Sequence, residues 1–204
     1  MPGRPATIRE AAILDAARDV FREHGHASTT AKIALRAGVS EGILFYRYKS
    51  KEALLAALIE RETEPPDSLR EFVKRAAGAA SVAKNLEAVI EILLGAVARA
   101  HPFMELAITS PRSGEIHRLL MSKSHTPPTQ RMGELLTSYF AAEIRLGRVR
   151  AIDVSSAARA ILGGCIEYVR SGDASDSEAG RSSFVRGLVD IFVHGITETA
   201  TSRR

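Results

Sequence analysis

Three cationic side chains, Arg47, Lys49 and Lys51, stand close together in one short stretch of the chain. Ser50 precedes Lys51 and is a good N-cap residue, so a helix is expected to begin there. The N-terminal end of a helix attracts anions, and neighbouring lysines strengthen that attraction. The arrangement favours binding of a phosphate group. Considered by themselves, the three cations are more typical of a solvated charged face. Whether they bind a phosphate therefore depends on the helices around them.

Two short helices joined by a tight turn are predicted immediately before these cations. Ser28 and Thr29 are good N-cap residues for the first helix, and Ile33, Ala34 and Ala37 recur at helical spacing to give it an apolar face. The turn that follows contains a glycine, which permits the left-handed backbone that lets two helices cross steeply. This pattern predicts a helix-turn-helix.

The second helix of the pair is predicted from Ser40 to about Arg47, with Ser40 as its N-cap. Leu44 and Tyr48 fall on its inward face. The outward and edge positions carry small, apolar and charged residues: Glu41, Gly42, Ile43, Tyr46 and Arg47. A face of this kind suits the major groove of DNA.

The same stretch resembles the signature of TetR-family transcriptional regulators over about residues 8 to 55. The matching positions are Ile33-Ala34, Ala37-Gly38-Val39-Ser40, Gly42, Leu44-Phe45 and Ser50-Lys51-Glu52. Two positions depart from the family pattern, since Ile43 stands where threonine is usual and Phe45 where tyrosine is usual. The resemblance implies an N-terminal domain that binds double-stranded operator DNA and a C-terminal domain that dimerises and usually holds an effector.

The predicted DNA contacts combine the outward face of the second helix, the N-cap residues, the cations beyond it and an N-terminal arginine. They are Arg4, Thr29, Thr30, Ser40, Glu41, Gly42, Ile43, Tyr46, Arg47, Lys49 and Lys51. Arg4 belongs to a short arm that is expected to lie in the minor groove, with a disordered terminus as the alternative. Lys51 is assigned to a phosphate, and Tyr46 to a base edge or a thymine methyl group.

Composition predicts an all-α protein. Of the 204 residues 45% are hydrophobic and only 5% aromatic, and β-branched or alternating runs are few. The net charge of +4 is mild support for a polyanionic partner. The single cysteine, Cys165, lies among apolar residues, which fits a buried thiol in a reducing compartment. Because no apolar run is long enough to span a membrane, a cytoplasmic protein with no membrane partner is expected.

Two domains are predicted: a three-helix DNA-binding domain with the helix-turn-helix over residues 1–52, and a helical ligand-sensing and dimerisation domain over residues 53–204. The helix that connects them is expected to end before Pro65-Pro66. Further along, one long helix is expected to end before Pro102, and Pro102 to occupy the first turn of a separate short helix.

An apolar effector pocket is predicted from aromatic, aliphatic and methionine side chains on four helices, a mixture that suits an adaptable site. The residues are Leu93, Val97, Phe103, Met104, Met121, Met132, Leu136, Tyr139 and Phe140. Such stripes are more often plain core, so the family resemblance is the main reason to expect a pocket. The effector is predicted to be a small apolar molecule of unknown identity.

The last two helices are predicted to pair with those of a second subunit. They are apolar over more than one face, and Gly163-Gly164 in the middle of one of them costs about 1 kcal/mol of helix propensity per glycine. Close approach of another helix would explain the two glycines. In TetR-like proteins these helices form a four-helix interface, to which the resemblance assigns Ala157, Ile161, Gly164, Cys165, Tyr168, Phe184, Leu188 and Phe192. An ordinary intrachain core is the alternative.

Catalytic and metal chemistry is not indicated by the sequence. The six histidines are scattered, and a metal site needs three or four convergent ligands. No glycine-rich phosphate loop or C-x-x-C is present. We therefore expect no metal, no cofactor and no enzymatic activity.

The function predicted is that of a homodimeric repressor released from a palindromic operator by a small apolar effector. Two alternatives stay open at this point. A DNA-binding regulator without a small-molecule effector would show no ligand-dependent shift of its melting temperature. A helical enzyme or carrier with a vestigial helix-turn-helix would bind no DNA specifically.

Overall fold

The structure, a computed structural model, describes residues 5–123, 128–172 and 177–195; within these ranges the side chains of residues 5–9, 123, 128 and 129 are not described. The described chain folds into ten α-helices, with a short 3-10 turn at Gly25–Ala27 and no strand. The helices are α1 Pro5–His24, α2 Thr30–Ala37, α3 Glu41–Tyr48, α4 Lys51–Glu62, α5 Asp67–Ala76, α6 Val82–Ile108, α7 Ser113–Lys123, α8 Pro128–Arg145, α9 Val154–Ser171 and α10 Glu178–His194. The all-α prediction is confirmed.

The chain forms two compact units, which are called the first and second unit below. The first contains the described residues up to 64 and the described residues between 98 and 131, and the second contains residues 65–97 with the described residues from 132 onward. The predicted boundary between residues 52 and 53 falls inside α4, within the first unit. The first unit therefore contains α7, α4 and the last part of α6 in addition to the three N-terminal helices.

The core of the first unit fixes the helix-turn-helix. The apolar stripe of α1 buries Ile13 and Val20, and α2 and α3 bury Ile33 and Leu44 in the same cluster. Four aliphatic side chains of α4 complete it: Leu54, Leu55, Leu58 and Ile59. Burying a side chain of this size contributes about 1.5 to 3 kcal/mol, so α4 is held as firmly as α1 to α3.

The break predicted before Pro102 is wrong, because α6 runs without interruption from Val82 to Ile108. A proline inside a helix removes one backbone hydrogen bond and usually kinks or ends the helix. Here the residues just beyond it are anchored, since Phe103 and Ala107 are buried in the first unit. Tertiary packing outweighs the local cost of the proline.

The core of the second unit is aliphatic and aromatic, and it is drawn from α5, α6, α8, α9 and α10. At one edge it contains a buried polar cluster. The Glu143 carboxylate is fully buried, 3.1 Å from Nε of Arg148, and its Oε1 accepts a hydrogen bond from Asn85 Nδ2 at 3.3 Å. Asn85 Nδ2 also donates to the Ala76 carbonyl at 2.7 Å. These contacts tie the end of α5 and the start of α6 to the end of α8.

Candidate nucleic-acid interface

The helix-turn-helix is held by side-chain caps at the starts of its two helices. Thr29 accepts a hydrogen bond from the backbone N–H of Lys32 at the start of α2, and Ser40 accepts one from Ile43 at the start of α3. Between them, Gly38 has a φ of 66°, a left-handed conformation that glycine adopts without strain. The predicted caps and turn are therefore present, and they set the angle at which α3 leaves α2.

The outward side of α3 is mainly apolar. Leu44 and Tyr48 are buried, as predicted, whereas Ile43 is 41%, Phe45 48% and Tyr46 82% exposed. We call the exposed surface formed by Glu41, Gly42, Ile43, Phe45 and Tyr46 the α3 face. Exposed side chains of this size on one short helix are typical of a surface that meets a partner.

Phe45 is a member of the α3 face that the sequence-based prediction missed. Outward residues of a helix recur at intervals of three and four, and Phe45 lies three residues beyond Gly42 and four beyond Glu41. That spacing was sufficient to find it.

Two polar contacts position the ends of the α3 face. Thr30 Oγ1 donates a hydrogen bond of 2.5 Å to Oε1 of Glu41, which joins the start of α2 to the start of α3. At the other end Lys49, with a φ of 63°, ends α3 and holds its ammonium 4.9 Å from the centroid of the Tyr46 ring. A cation over an aromatic face is attracted by the ring quadrupole, so the exposed Tyr46 ring and the Lys49 charge are positioned together.

Two of the three predicted phosphate-binding cations are engaged within the chain. Arg47 forms an ion pair with Glu10 of α1. The half-buried Lys51 donates from Nζ to the carbonyls of His26 at 3.1 Å and Ser28 at 3.2 Å. An ammonium has three N–H donors, so these two bonds leave one for another acceptor. The third cation, Lys49, is exposed, and Arg4 lies outside the described residues.

The residues predicted to line an effector pocket are divided between the two units. Leu93, Val97, Met132, Leu136, Tyr139 and Phe140 are core residues of the second unit. Phe103 is buried in the core of the first unit with Met104 packed against it, and Met121 is 42% exposed. The structure thus does not bring the nine side chains into one cluster, because α6 passes from one core to the other between Val97 and Phe103.

The residues predicted to form a dimer interface pack largely within the chain. Ile161 and Cys165 are fully buried, and Ala157 is nearly so. A Cβ added to Gly164 would lie 3.6 Å from Leu188 and 3.7 Å from Phe184, both on α10 of the same chain. The remaining aromatic members also pack within the chain, because Tyr168 stacks on Phe184 with centroids 4.4 Å apart and Phe192 on Phe140 at 6.4 Å. The helix that approaches Gly164 closely is therefore intrachain, whereas no atom of the described residues lies within 4 Å of a Cβ added to Gly163.

Cys165 is a core residue and not a nucleophile. Burial raises the pKa of its thiol to about 12, so the thiol is neutral near pH 7. Among the described residues no three His, Cys, Asp or Glu side chains are placed to hold a metal ion. No described helix is long and apolar enough to cross a membrane.

A helix-turn-helix whose two helices are capped and whose second helix is exposed is typical of a DNA-binding protein. Comparison with known proteins agrees with that class. Residues 13–58 match the sequence model of the bacterial regulatory proteins of the tetR family. Over 90% of its length the chain is 27% identical to the fatty acid metabolism regulator protein of Bacillus subtilis strain 168, covering 93% of that protein. It is also 28% identical over 115 residues, 56% of this chain and 58% of the relative, to the transcriptional regulator UidR of Escherichia coli K12.

Solved structures of the same fold cover nearly the whole chain. A TetR-family regulator from Mesorhizobium loti aligns over 94% of this chain and 97% of its own, with a TM-score of 0.74 and 20% identity. FadR from Bacillus subtilis aligns over 92% of this chain and 100% of its own, with a TM-score of 0.66 and 23% identity. The chain thus has the fold of these regulators, and its residues 13–58 match the tetR family model.

Proposed function

We propose that the protein is a homodimeric repressor that leaves a two-fold symmetric operator when a small effector with an apolar body binds to it. It acts by binding and not by catalysis. The observation that carries the proposal is the α3 face, a capped helix whose outward side chains are exposed and held in place by contacts to α2 and Lys49. A dimer presents two such faces, and two recognition helices about 34 Å apart reach successive turns of the major groove.

The dimer contact is assigned to the outward sides of α9 and α10. The residues first predicted for this interface pack largely within the chain, whereas the opposite sides of the same helices are exposed. On α9 the exposed positions Ala160, Gly163 and Glu167 recur at helical spacing, and Ile191 is exposed on α10. Ala160 and Gly163 are small, which permits close approach of a second pair of helices.

The effector class that we propose is a fatty acyl thioester of coenzyme A. The relative that matches most of this chain's length is a fatty acid metabolism regulator, and FadR of the same species was crystallised with stearoyl-CoA. The second unit of this chain has an aliphatic and aromatic core drawn from five helices, an apolar interior of the kind that an acyl chain requires. Because such a core is close-packed, its helices must separate to admit the chain. Binding alone does not release DNA: a hundredfold loss of operator affinity requires about 2.7 kcal/mol of preference for the released conformation.

The effector proposal is tested by operator release. An operator is first obtained by selecting bound sequences from a random DNA pool, and a fluorescent copy is then titrated off the protein with stearoyl-CoA. Free coenzyme A and stearate are the matched controls, since each carries half of the ligand. We expect release by stearoyl-CoA at concentrations where coenzyme A releases none, together with a rise in melting temperature.

Absence of both release and thermal stabilisation with acyl-CoAs of short, medium and long chain would contradict this effector class. If no other small molecule then shifted the melting temperature, the result would favour a regulator that responds to a protein partner and has no small-molecule effector. In either case binding to the selected operator would remain intact.

A further inference from the structure

The α3 face consists mainly of apolar side chains and lacks the side chains that usually form hydrogen bonds to DNA bases. Arginine and lysine read guanine in the major groove, and asparagine and glutamine read adenine. Helix α3 contains no lysine, asparagine or glutamine, and its one arginine, Arg47, is ion-paired with Glu10. The Glu41 carboxylate accepts a hydrogen bond from Thr30. What α3 offers outward is therefore mainly Ile43, Phe45 and the Tyr46 ring.

Only one of the four bases presents an apolar group in the major groove. Thymine carries a 5-methyl group there, whereas adenine, guanine and cytosine present donors and acceptors. An aliphatic or aromatic side chain gains by covering that methyl group and loses by covering an unpaired polar edge. The α3 face is thus chemically matched to thymine and mismatched to the other bases.

The backbone of α3 allows the close approach that such a contact needs. Among the described residues, a Cβ at Gly42 would have only the Ser40 hydroxyl within 4 Å, at 3.8 Å, so position 42 adds no side chain that would hold the groove away from Ile43. Phe45 is 48% exposed on a helix whose first turn is capped by Ser40. An aromatic side chain has only two torsion angles, so its ring loses little conformational freedom when it covers a methyl group.

We propose that this protein recognises its operator by the 5-methyl groups of thymines, with Phe45 and Ile43 as the specificity-determining side chains. The proposal rests on the proposed function, since it describes how the same interface selects its DNA. Burial of one methyl group corresponds to about a fourfold change in dissociation constant. Several such contacts in two half-sites account for a large part of the preference for operator over random DNA.

Replacement of thymine by deoxyuridine tests the proposal, because the two differ only in the 5-methyl group. In the selected operator each thymine is replaced singly and then all are replaced together. For the wild-type protein we expect about fourfold weaker binding at one or more positions in each half-site, with an unchanged salt slope because no phosphate contact is lost. For Phe45→Ala or Ile43→Ala we expect weaker binding to the thymine operator and a reduced thymine-to-uracil difference.

Leu146→Ala is the matched control, because Leu146 is an exposed apolar residue of the second unit, and it should keep the full thymine-to-uracil difference. Equal affinity of the wild-type protein for the thymine and all-uracil operators would overturn the proposal while leaving the regulator intact. A full thymine-to-uracil difference in both α3 variants would also overturn it. Failure of any selected sequence to bind better than random DNA would instead overturn the proposed function. The DNA substitutions use the unaltered protein, so the result does not depend on the folding of a variant.

Discussion

The ion pair between Arg47 and Glu10 sets how much of the positive charge beside α3 is available to DNA. Both side chains are about two-fifths exposed, and exposed ion pairs are worth about 0 to 1 kcal/mol. A DNA phosphate can therefore compete with Glu10 for the guanidinium. Lys51 is held differently, because its bonds go to backbone carbonyls that cannot move away on their own.

Substitution of Glu10 by glutamine should make Arg47 available to a phosphate. We expect Glu10→Gln to bind all DNA sequences more tightly and to steepen the dependence of log Kd on log salt by about one. The preference for operator over random DNA should change little, since a phosphate contact carries no sequence information. Affinities measured over a series of salt concentrations give both quantities.

Glu71→Gln is the charge-matched control for this experiment. Glu71 is an exposed acid of the second unit that pairs with Lys74 and Arg75. Unchanged affinity and salt slope in Glu10→Gln, or the same change in both variants, would contradict the view that the ion pair with Glu10 limits the contact of Arg47 with DNA.

At the scale of the helices, α9 has two neighbouring glycines with different surroundings. Gly164 faces Phe184 and Leu188 of α10 at ordinary contact distance, whereas a Cβ at Gly163 has no described residue within 4 Å. A large side chain at position 164 must push α10 away, while a Cβ at position 163 meets nothing in the part of the chain that the structure describes. The two positions thus separate packing inside the subunit from contact between subunits.

We expect Gly164→Leu to lower the free energy of unfolding by about 1 to 3 kcal/mol, because it overpacks the contact between α9 and α10. Within one subunit Gly163→Leu should not produce this loss, and leucine has a higher helix propensity than glycine by up to about 1 kcal/mol. The comparison is made at protein concentrations low enough for both variants to be monomeric, because loss of the dimer also lowers the apparent stability. Urea denaturation of both variants measures the difference. Equal destabilisation by the two substitutions would contradict the packing described for Gly164.

Gly163→Glu completes the comparison by testing the proposed dimer contact. A charge placed in a close contact between subunits would be left desolvated and unpaired. The variant should be folded and monomeric in sedimentation experiments. A dimer as stable as the wild type would place the interface on another surface.

Local signals in the sequence were enough to predict the caps and the turn of the helix-turn-helix and the cap of α4. The caps at Thr29, Ser40 and Ser50 and the turn at Gly38 depend only on neighbouring residues, and the structure contains each of them. Long-range contacts were not predictable in this way. The partner of Arg47 lies 37 residues away, on α1.

The path of α6 past Pro102 and the position of Gly164 beside α10 likewise depend on packing between distant segments. The local signal at Pro102 led to a wrong prediction of a helix break, whereas the glycine at position 164 does mark a close approach of another helix. Local signals did not indicate that buried neighbours would keep α6 continuous, or that the approaching helix belongs to the same chain.

At the scale of the whole molecule, the account requires two α3 faces to act on one DNA site. A single face of a few apolar side chains covers too few bases to select one site, and symmetric duplication roughly doubles the specific contact free energy. The half-sites should therefore be inverted repeats whose centres are about one helical turn, or 10 to 10.5 base pairs, apart. The Gly163→Glu monomer should lose most of this affinity.

Binding to the selected operator with one or both half-sites scrambled tests the central claim most directly. Fluorescence anisotropy at fixed salt gives the affinities, and titration of concentrated DNA gives the number of chains bound. We predict an even number of chains per intact operator, at least tenfold weaker binding when one half-site is scrambled, and only salt-sensitive, sequence-independent binding when both are. Equal affinity for intact, half-scrambled and fully scrambled DNA would contradict the account.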